Sequence, residues 1–241
     1  MGQTLFISDL HLSADTHAAT GALLGFLRDT VPRVDALYVL GDLFEYWIGD
    51  EGLDKPHASQ IARAFRALAD DGVRTYFMHG NRDFLIGERF AQTCGLQILA
   101  DPTLVNLYGV PTLLMHGDTL CTDDREYQEF RATVRDPVWQ SAFLAKSLDE
   151  RLRAARDIRA RSEQAKQVKN MAIMDVTQAT VAEVFRANNY ARIIHGHTHR
   201  PAHHQHRVDA RDCERWVLAD WYEHGSYLMC DDNGCHAGRI D

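Results

Sequence analysis

Five short apolar runs in this chain each end in a cluster of Asp, His or Asn, and this repeated junction constrains the fold more than any other feature. Leu5-Phe6-Ile7-Ser8 leads into Asp9-Leu10-His11, Leu37-Tyr38-Val39-Leu40 into Gly41-Asp42, and Tyr76-Phe77-Met78 into His79-Gly80-Asn81-Arg82-Asp83. Leu113-Leu114-Met115 leads into His116-Gly117-Asp118, and Ile193-Ile194 into His195-Gly196-His197-Thr198-His199. Helical patterns separate the early runs. Leu23, Leu24 and Leu27 share one face, and Ile61, Ala64, Phe65 and Leu68 fall at i, i+3, i+4 and i+7, with Gly72 where that helix should stop. Alternating strands and helices predict an α/β fold with a mainly parallel sheet, and such sheets gather ligands at the carboxyl ends of their strands. All five clusters lie at that end, so the fold is expected to bring them into one cleft.

Carboxylate, imidazole and amide donors held together suit divalent first-row metals, and the absence of Cys from the clusters argues against a structural thiolate zinc site. Gly41, Gly80, Gly117 and Gly196 each adjoin a candidate ligand, where the chain must turn sharply or let a ligand approach the backbone. A short Asp-x-His or Gly-His-Thr-His alone is weak evidence. Five such motifs in the same strand-end context point to a dinuclear metallohydrolase.

Two further runs, 104–107 and 112–115, flank Gly109 and Pro111 as a hairpin would, and Asp232-Asn233-Gly234 reads as a second hairpin turn. Later strands are expected at 215–219, at 226–230 and near Gly238. Between 121 and 172 the pattern changes: Arg, Ala, Glu, Gln and Lys dominate, and Leu144, Leu148, Leu152 and Ala155 recur at helical spacing. This stretch reads as two or more helices inserted into one domain spanning 1–241.

At 241 residues, with 45% hydrophobic and 25% charged, the chain can bury a substantial core and has no disorder-like composition. No stretch approaches the roughly 20 apolar residues a membrane span needs. The chain enters its first strand-like run at once, so no secretion signal is expected. Cys94, Cys121, Cys213, Cys230 and Cys235 are odd in number with no CxxC pair, which predicts free thiols and a cytoplasmic setting. A net charge of −8 gives no support for nucleic-acid binding, and no obligate protein partner is evident. The inserted stretch reverses the sign locally, with Arg125, Arg131, Arg135, Lys146, Arg151, Arg153, Arg156, Arg159, Arg161, Lys166 and Lys169.

The set Asp9-x-His11, Gly41-Asp42, Gly80-Asn81-x-Asp83, His116 and Gly196-His197-x-His199 resembles the calcineurin-like metallophosphoesterase superfamily, in the family's order. The resemblance implies a four-layer α/β/β/α sandwich with a helical cap insertion at 121–172. It also implies two divalent metal ions, with manganese suggested. By that resemblance Asp9, His11 and His199 hold one ion, Asn81, His116 and His197 hold the other, and Asp42 bridges them. Many members carry His after the Asn of the third motif, and this chain has Arg82. Arginine cannot donate a proton near neutral pH, but its planar fork suits phosphate oxygens.

Longer strings are similar to one branch, the UDP-2,3-diacylglucosamine diphosphatases of lipid A biosynthesis. They are Gly41-Asp42-Leu43-Phe44-Glu45-Tyr46-Trp47-Ile48-Gly49, His79-Gly80-Asn81-Arg82-Asp83-Phe84-Leu85, His116-Gly117-Asp118-Thr119-Leu120-Cys121-Thr122-Asp123-Asp124, Ile173-Met174-Asp175-Val176 and His195-Gly196-His197-Thr198-His199-Arg200-Pro201. The branch implies a pyrophosphatase in which metal-activated water attacks the α-phosphorus of the lipid nucleotide. Asp9, Asp42, Asn81, Arg82 and His116 would act in catalysis, and Asn81, Arg82, Asp124, Ser162, Lys166, Lys169 and His197 would contact substrate. Lys166 stands where some members have Asn, and spacing alone reads Ser162, Lys166 and Lys169 as a solvated helix face.

The basic insertion has a bland reading as a helix surface laced with i,i+4 ion pairs. Its functional reading sets Arg and Lys against anionic inner-membrane lipid on the cytoplasmic face, with Val138, Trp139, Phe143 and Leu144 around the acyl chains. His203, His204 and His206 are expected at the surface and His195 packed at its strand end. Two alternatives stand beside the lipid reading: a soluble phosphodiesterase or phosphatase on the same scaffold, whose mark would be His at 82 with a short connection before His197, and a non-catalytic metal-binding interaction module, whose ligands would be eroded.

Overall fold

The computed structural model describes residues 2–168 and 175–240, the side chains at 161, 163 and 165–168 excepted. Lys169, expected to contact substrate, lies outside the described residues, as do Ile173 and Met174. In chain order the elements are β1 (Thr4–Ile7), α1 (His17–Asp29), β2 (Ala36–Val39), α2 (Pro56–Asp70), β3 (Arg74–Met78), α3 (Glu88–Cys94), β4 (Gln97–Leu99), β5 (Thr103–Leu107) and β6 (Val110–Leu114). They continue as α4 (Arg125–Val134), α5 (Pro137–Leu144), α6 (Leu148–Val168), α7 (Gln178–Ala187), β7 (Arg192–His195), β8 (Ala202–Val208), β9 (Arg211–Val217), β10 (Gly225–Asp231) and β11 (Gly234–Ile240).

The apolar runs are continuous because both faces of their strands are covered. Along β1, Leu5 and Ile7 join a cluster with α1 and α2, while Phe6 turns the other way. In β2, Leu37 and Val39 likewise oppose Tyr38, and Ile193 and Ile194 in β7 part in the same manner. Strands thus deal their side chains alternately to two cores, as the period of 2 requires. Six strands form one sheet in the order β11-β10-β1-β2-β3-β4, and five form the other in the order β5-β6-β7-β9-β8. Phe6, Leu40, Met78, Leu107, Leu114, Ile194 and Leu228 fill the space between the sheets. Helices α1 to α3 cover the outer face of the first, and Val181 and Phe185 of α7 cover the second. The result is the expected α/β/β/α sandwich.

β1, β2 and β3 run parallel in one sheet, and β6 and β7 run parallel in the other. All five junctions that carry the candidate ligands follow these strands. The β5–β6 hairpin and the β10–β11 hairpin form as expected, with Gly234 at φ +117 closing the second.

Four readings of the sequence need correction or refinement. Strands β4 and β8 and helix α3 are additional elements; β8 reads Ala-His-His-Gln-His-Arg-Val and hides an edge strand behind polar side chains. β9 begins four residues before the expected run. The Leu144-Leu148-Leu152 spacing crosses a break, because α5 ends at Leu144 and α6 starts at Leu148. Finally, Cys230 and Cys235 are not free thiols: they are joined by a disulfide, because the β10–β11 hairpin sets them directly opposite with Cα atoms 4.1 Å apart. Pairing made by strand register is invisible in cysteine count and spacing, so cysteine usage no longer argues for a reducing compartment. Cys94, Cys121 and Cys213 are buried and lie outside this bridge.

Helices α4 to α6 occupy the predicted insertion and are fastened to the body by arginines. Arg131 binds Asp118 at 2.7 Å, Arg151 binds Glu51 at 2.8 Å and the Ile48 carbonyl at 2.6 Å, and Arg159 pairs with Glu45. The basic residues therefore do more than form pairs along one helix. Trp139 and Phe143 stack at 5.0 Å, with Phe143 buried against the body, whereas Val138 is exposed and Leu144 partly so.

Candidate metal centre

Seven side chains named from the sequence meet at the rim where the parallel strands end. His11 Nε2 lies 3.2 Å from His199 Nε2, and His199 Nε2 lies 3.5 Å from Asp9 Oδ1. On the other side Asn81 Oδ1 lies 3.0 Å from His116 Nε2 and 2.9 Å from His197 Nδ1. Asp42 stands between the groups, with Oδ2 3.8 Å from His11 Nε2 and Oδ1 3.8 Å from His116 Nε2. Donors about 2.1 Å from a shared cation sit about 3 Å apart when they subtend a right angle, so this spacing suits coordination. The donor set fits divalent metal binding.

The backbone aims these donors. Asp9, His11, Asp42, His197 and His199 all have positive φ, between 49° and 69°. Non-glycine residues rarely adopt this left-handed region, and where they do the surrounding structure must hold them. Here the junctions hold each other: Asp9 N donates to the Gly41 carbonyl, His11 N to the Asp42 carbonyl, and His197 N to the Asp9 carboxylate at 2.9 Å. Gly41 lets the loops close, since a Cβ there would lie 2.5 Å from His116 Nδ1 and 2.6 Å from the Gly80 Cα.

Further contacts fix the ligand rings. His116 Nδ1 donates to the Leu40 carbonyl at 2.9 Å, which leaves Nε2 for a metal. Asp220 faces His199 Nδ1 at 3.5 Å, and Tyr222 stacks over His11 at 5.3 Å. Asp83 accepts the Leu43 and Gly80 amides at 2.7 and 2.9 Å, so it braces two motifs without reaching the centre. Asp118 takes the Tyr127 hydroxyl at 2.6 Å as well as Arg131. Asp83 and Asp118 were visible inside the motifs. Asp220 and Tyr222 lie in a loop after β9 with no recognisable signal.

The carboxylates and imidazoles of the cluster shift one another. Burial alone would push the His116 imidazole down, yet the carboxylates of Asp42, Asp118 and Asp9 push it up to about 9. Burial would raise Asp9, and the imidazoles of His199, His116 and His11 hold it well below the usual carboxylate range. Burial, aided by His116, pushes His197 down to about 4, leaving it neutral as a ligand must be. Burial and the Asp42 charge push Asp83 up to about 6.

The expected substrate contacts are placed less uniformly. Arg82 is half-buried, its amide donates to Asp42 Oδ1 at 2.9 Å, and its Nε is buried with no hydrogen-bond partner among the described residues. Asp124 caps α4, accepting the Tyr127 amide at 3.1 Å. Ser162 sits half-buried on α6, and Lys166 lies on the same helix.

A model of the calcineurin-like phosphoesterases matches residues 2–201. The chain is 50% identical over 230 residues to a UDP-2,3-diacylglucosamine hydrolase of Aromatoleum aromaticum, covering 95% of this chain and 94% of that one. It is 51% identical to the enzyme of the same name from Xanthomonas axonopodis pv. citri, covering 98% of each chain. Among solved structures, an archaeal phosphodiesterase aligns over 99% of both chains with 12% identity and a TM-score of 0.49.

Proposed function

We propose, from the premise that this chain belongs to the calcineurin-like phosphoesterase family and its UDP-2,3-diacylglucosamine hydrolase branch, that it hydrolyses the pyrophosphate of UDP-2,3-diacylglucosamine. Water adds to the α-phosphorus, the bond to the bridging oxygen breaks, and the products are UMP and 2,3-diacylglucosamine 1-phosphate. The observation that carries this reading is the convergence of seven donors, Asp42 and three on each side of it, five of the seven aimed by left-handed backbone.

Two divalent ions, bound by Asp9, His11 and His199 on one side and Asn81, His116 and His197 on the other with Asp42 shared, would acidify water and neutralise phosphoryl charge. We assign manganese on the resemblance to the family; the carboxylate, imidazole and amide donors suit several divalent first-row metals, manganese among them. Arg82 presents its guanidinium to the phosphoryl oxygens, and the buried unpaired Nε gains an acceptor when they arrive. It supplies no proton. The leaving group is a phosphate monoester, which departs without strong acid help.

The insertion at 121–172 acts as a cap over the lipid. Among the described residues, four of the eight exposed large apolar ones, Phe130, Val138, Leu144 and Leu148, lie on α4 to α6 and supply apolar surface for acyl chains. Asp124, Ser162 and Lys166 lie on or beside these helices and, with Lys169, contact the head of the substrate. The basic cap rests on anionic lipid at the cytoplasmic face of the inner membrane. No helix among the described residues is long and apolar enough to cross a membrane.

Purified protein with Mn²⁺ and UDP-2,3-diacylglucosamine in ¹⁸O-water tests the reaction. Labelled UMP is expected; absence of UMP rejects the substrate, and label in the lipid phosphate rejects attack at the α-phosphorus. Flotation with anionic vesicles tests the membrane contact, which fails if no protein rises at low salt.

A further inference from the structure

Arg215 on β9 is 2% exposed, and its guanidinium meets two imidazoles: Nη1 donates to His195 Nε2 at 2.9 Å and Nε to His206 Nε2 at 3.3 Å. Imidazole nitrogens that accept these bonds are unprotonated and bring no negative charge. Among the described residues Arg215 has no ion-pair partner. An arginine cannot shed its proton to escape burial, so its charge requires an anion nearby.

A cavity of about 270 Å³ opens onto this guanidinium, lined also by Arg200, His204, Thr198, Gln178 and Asp175. His204 stands directly across from Arg215 in the β8–β9 pair. The acid in this lining is committed: Asp175 pairs with Arg200 and accepts its neighbour's amide, from Val176, at 2.7 Å. Two guanidiniums against one carboxylate leave an excess of one positive charge in the described lining. Gln178 opens α7, whose N-terminus carries no side-chain cap hydrogen bond and adds its own positive end.

We propose that this pocket on the outer face of β8 and β9 binds a phosphate-class oxyanion between Arg215 and Arg200. The guanidinium fork matches phosphate oxygens, and the cavity is larger than one phosphate, so a phosphate ester also fits. The pocket is not the cleft of the metal centre. It lies behind it, since Arg215 reaches the fifth junction through His195, whose Nδ1 donates to the Gly196 carbonyl at 2.8 Å.

Calorimetric titration of inorganic phosphate into the full chain stripped of metal with EDTA tests the site separately from the proposed hydrolysis. One saturable phosphate site is expected in the wild type. Arg215→Met and Arg200→Gln should each weaken it about tenfold or more, the loss expected for a charge-assisted contact. Arg82→Gln, at the metal centre, should leave it unchanged. Should Arg215→Met fail to fold by circular dichroism, Arg200→Gln decides, because Arg200 is 38% exposed at its side chain. No saturable binding to the wild type overturns the proposal, as does affinity lost in Arg82→Gln but kept in Arg200→Gln. Displacement of phosphate by UMP identifies a nucleotide phosphate as occupant and failure to displace identifies free phosphate; both uphold the site.

Discussion

One carboxylate oxygen of Glu45 lies 3.2 Å from His11 Nδ1, off the line of a hydrogen bond, while the other pairs with Arg159 on α6. A single side chain thus touches a candidate metal ligand and the inserted helix α6 together. Carboxylates behind a ligating imidazole orient it and raise its basicity.

Glu45→Gln should therefore weaken metal binding by roughly 10-fold to 100-fold, the range for such outer contacts. Calorimetric titration of Mn²⁺ into stripped protein measures it. An unchanged affinity would show that Glu45 serves the cap alone.

Asp42→Ala removes the donor shared by both groups. Activity should fall by more than about 100-fold, beyond what an outer contact costs, and bound metal should drop below two ions per chain. Elemental analysis reads the metal beside the rate assay, and circular dichroism separates this from simple unfolding.

Arg82→Lys keeps the charge but loses the fork, and Arg82→Ala loses both. The rate should decline in the order wild type, Lys, Ala, with the Ala variant down by roughly 10-fold to 100-fold, as for loss of a hydrogen bond to a charged group. Equal rates for Lys and wild type would mean that charge alone matters.

Arg151 is 3% exposed and binds Glu51 and the Ile48 carbonyl. Arg151→Met should destabilise the attachment of α6 by about 1–3 kcal/mol, since a part-buried carbonyl loses its charged donor. Hydrogen exchange over 148–160 reads this locally. The Arg151 hydrogen bond holds Glu51 below the usual carboxylate range. A carboxylate depressed on folding contributes stability above its unfolded pKa and loses it as pH falls through the folded one. Protection in α6 should thus fall on acidification, and Glu51→Gln should remove that component of the pH dependence.

Chelation should lower the thermal midpoint and Mn²⁺ should restore it. Ions at about 100 times their dissociation constant add about 2.7 kcal/mol to the folded state. Scanning calorimetry with and without EDTA would show no shift if the donors held no metal.

The sandwich was legible because its central strands are covered on both faces and leave unbroken apolar runs such as Leu5-Phe6-Ile7. The donors were legible because each lies where such a run stops. β8 escaped notice for the opposite reason: as an edge strand it exposes His203 and Gln205, so no apolar run marks it. The Cys230–Cys235 bridge depends on hairpin register, and Glu45, Asp220 and Arg215 act through folded neighbours that sequence spacing does not reveal.

The left-handed backbone at Asp9, His11, Asp42, His197 and His199 also governs how this centre can vary. β-branched and bulky side chains are penalised there, while Asn, Asp and His tolerate the region best. Those three are the very donors that oxygen- and nitrogen-loving cations accept. Glycine aside, main-chain torsion and coordination chemistry therefore screen mutations with the same sieve, and the side chains these loops house most readily would still offer a cation a donor.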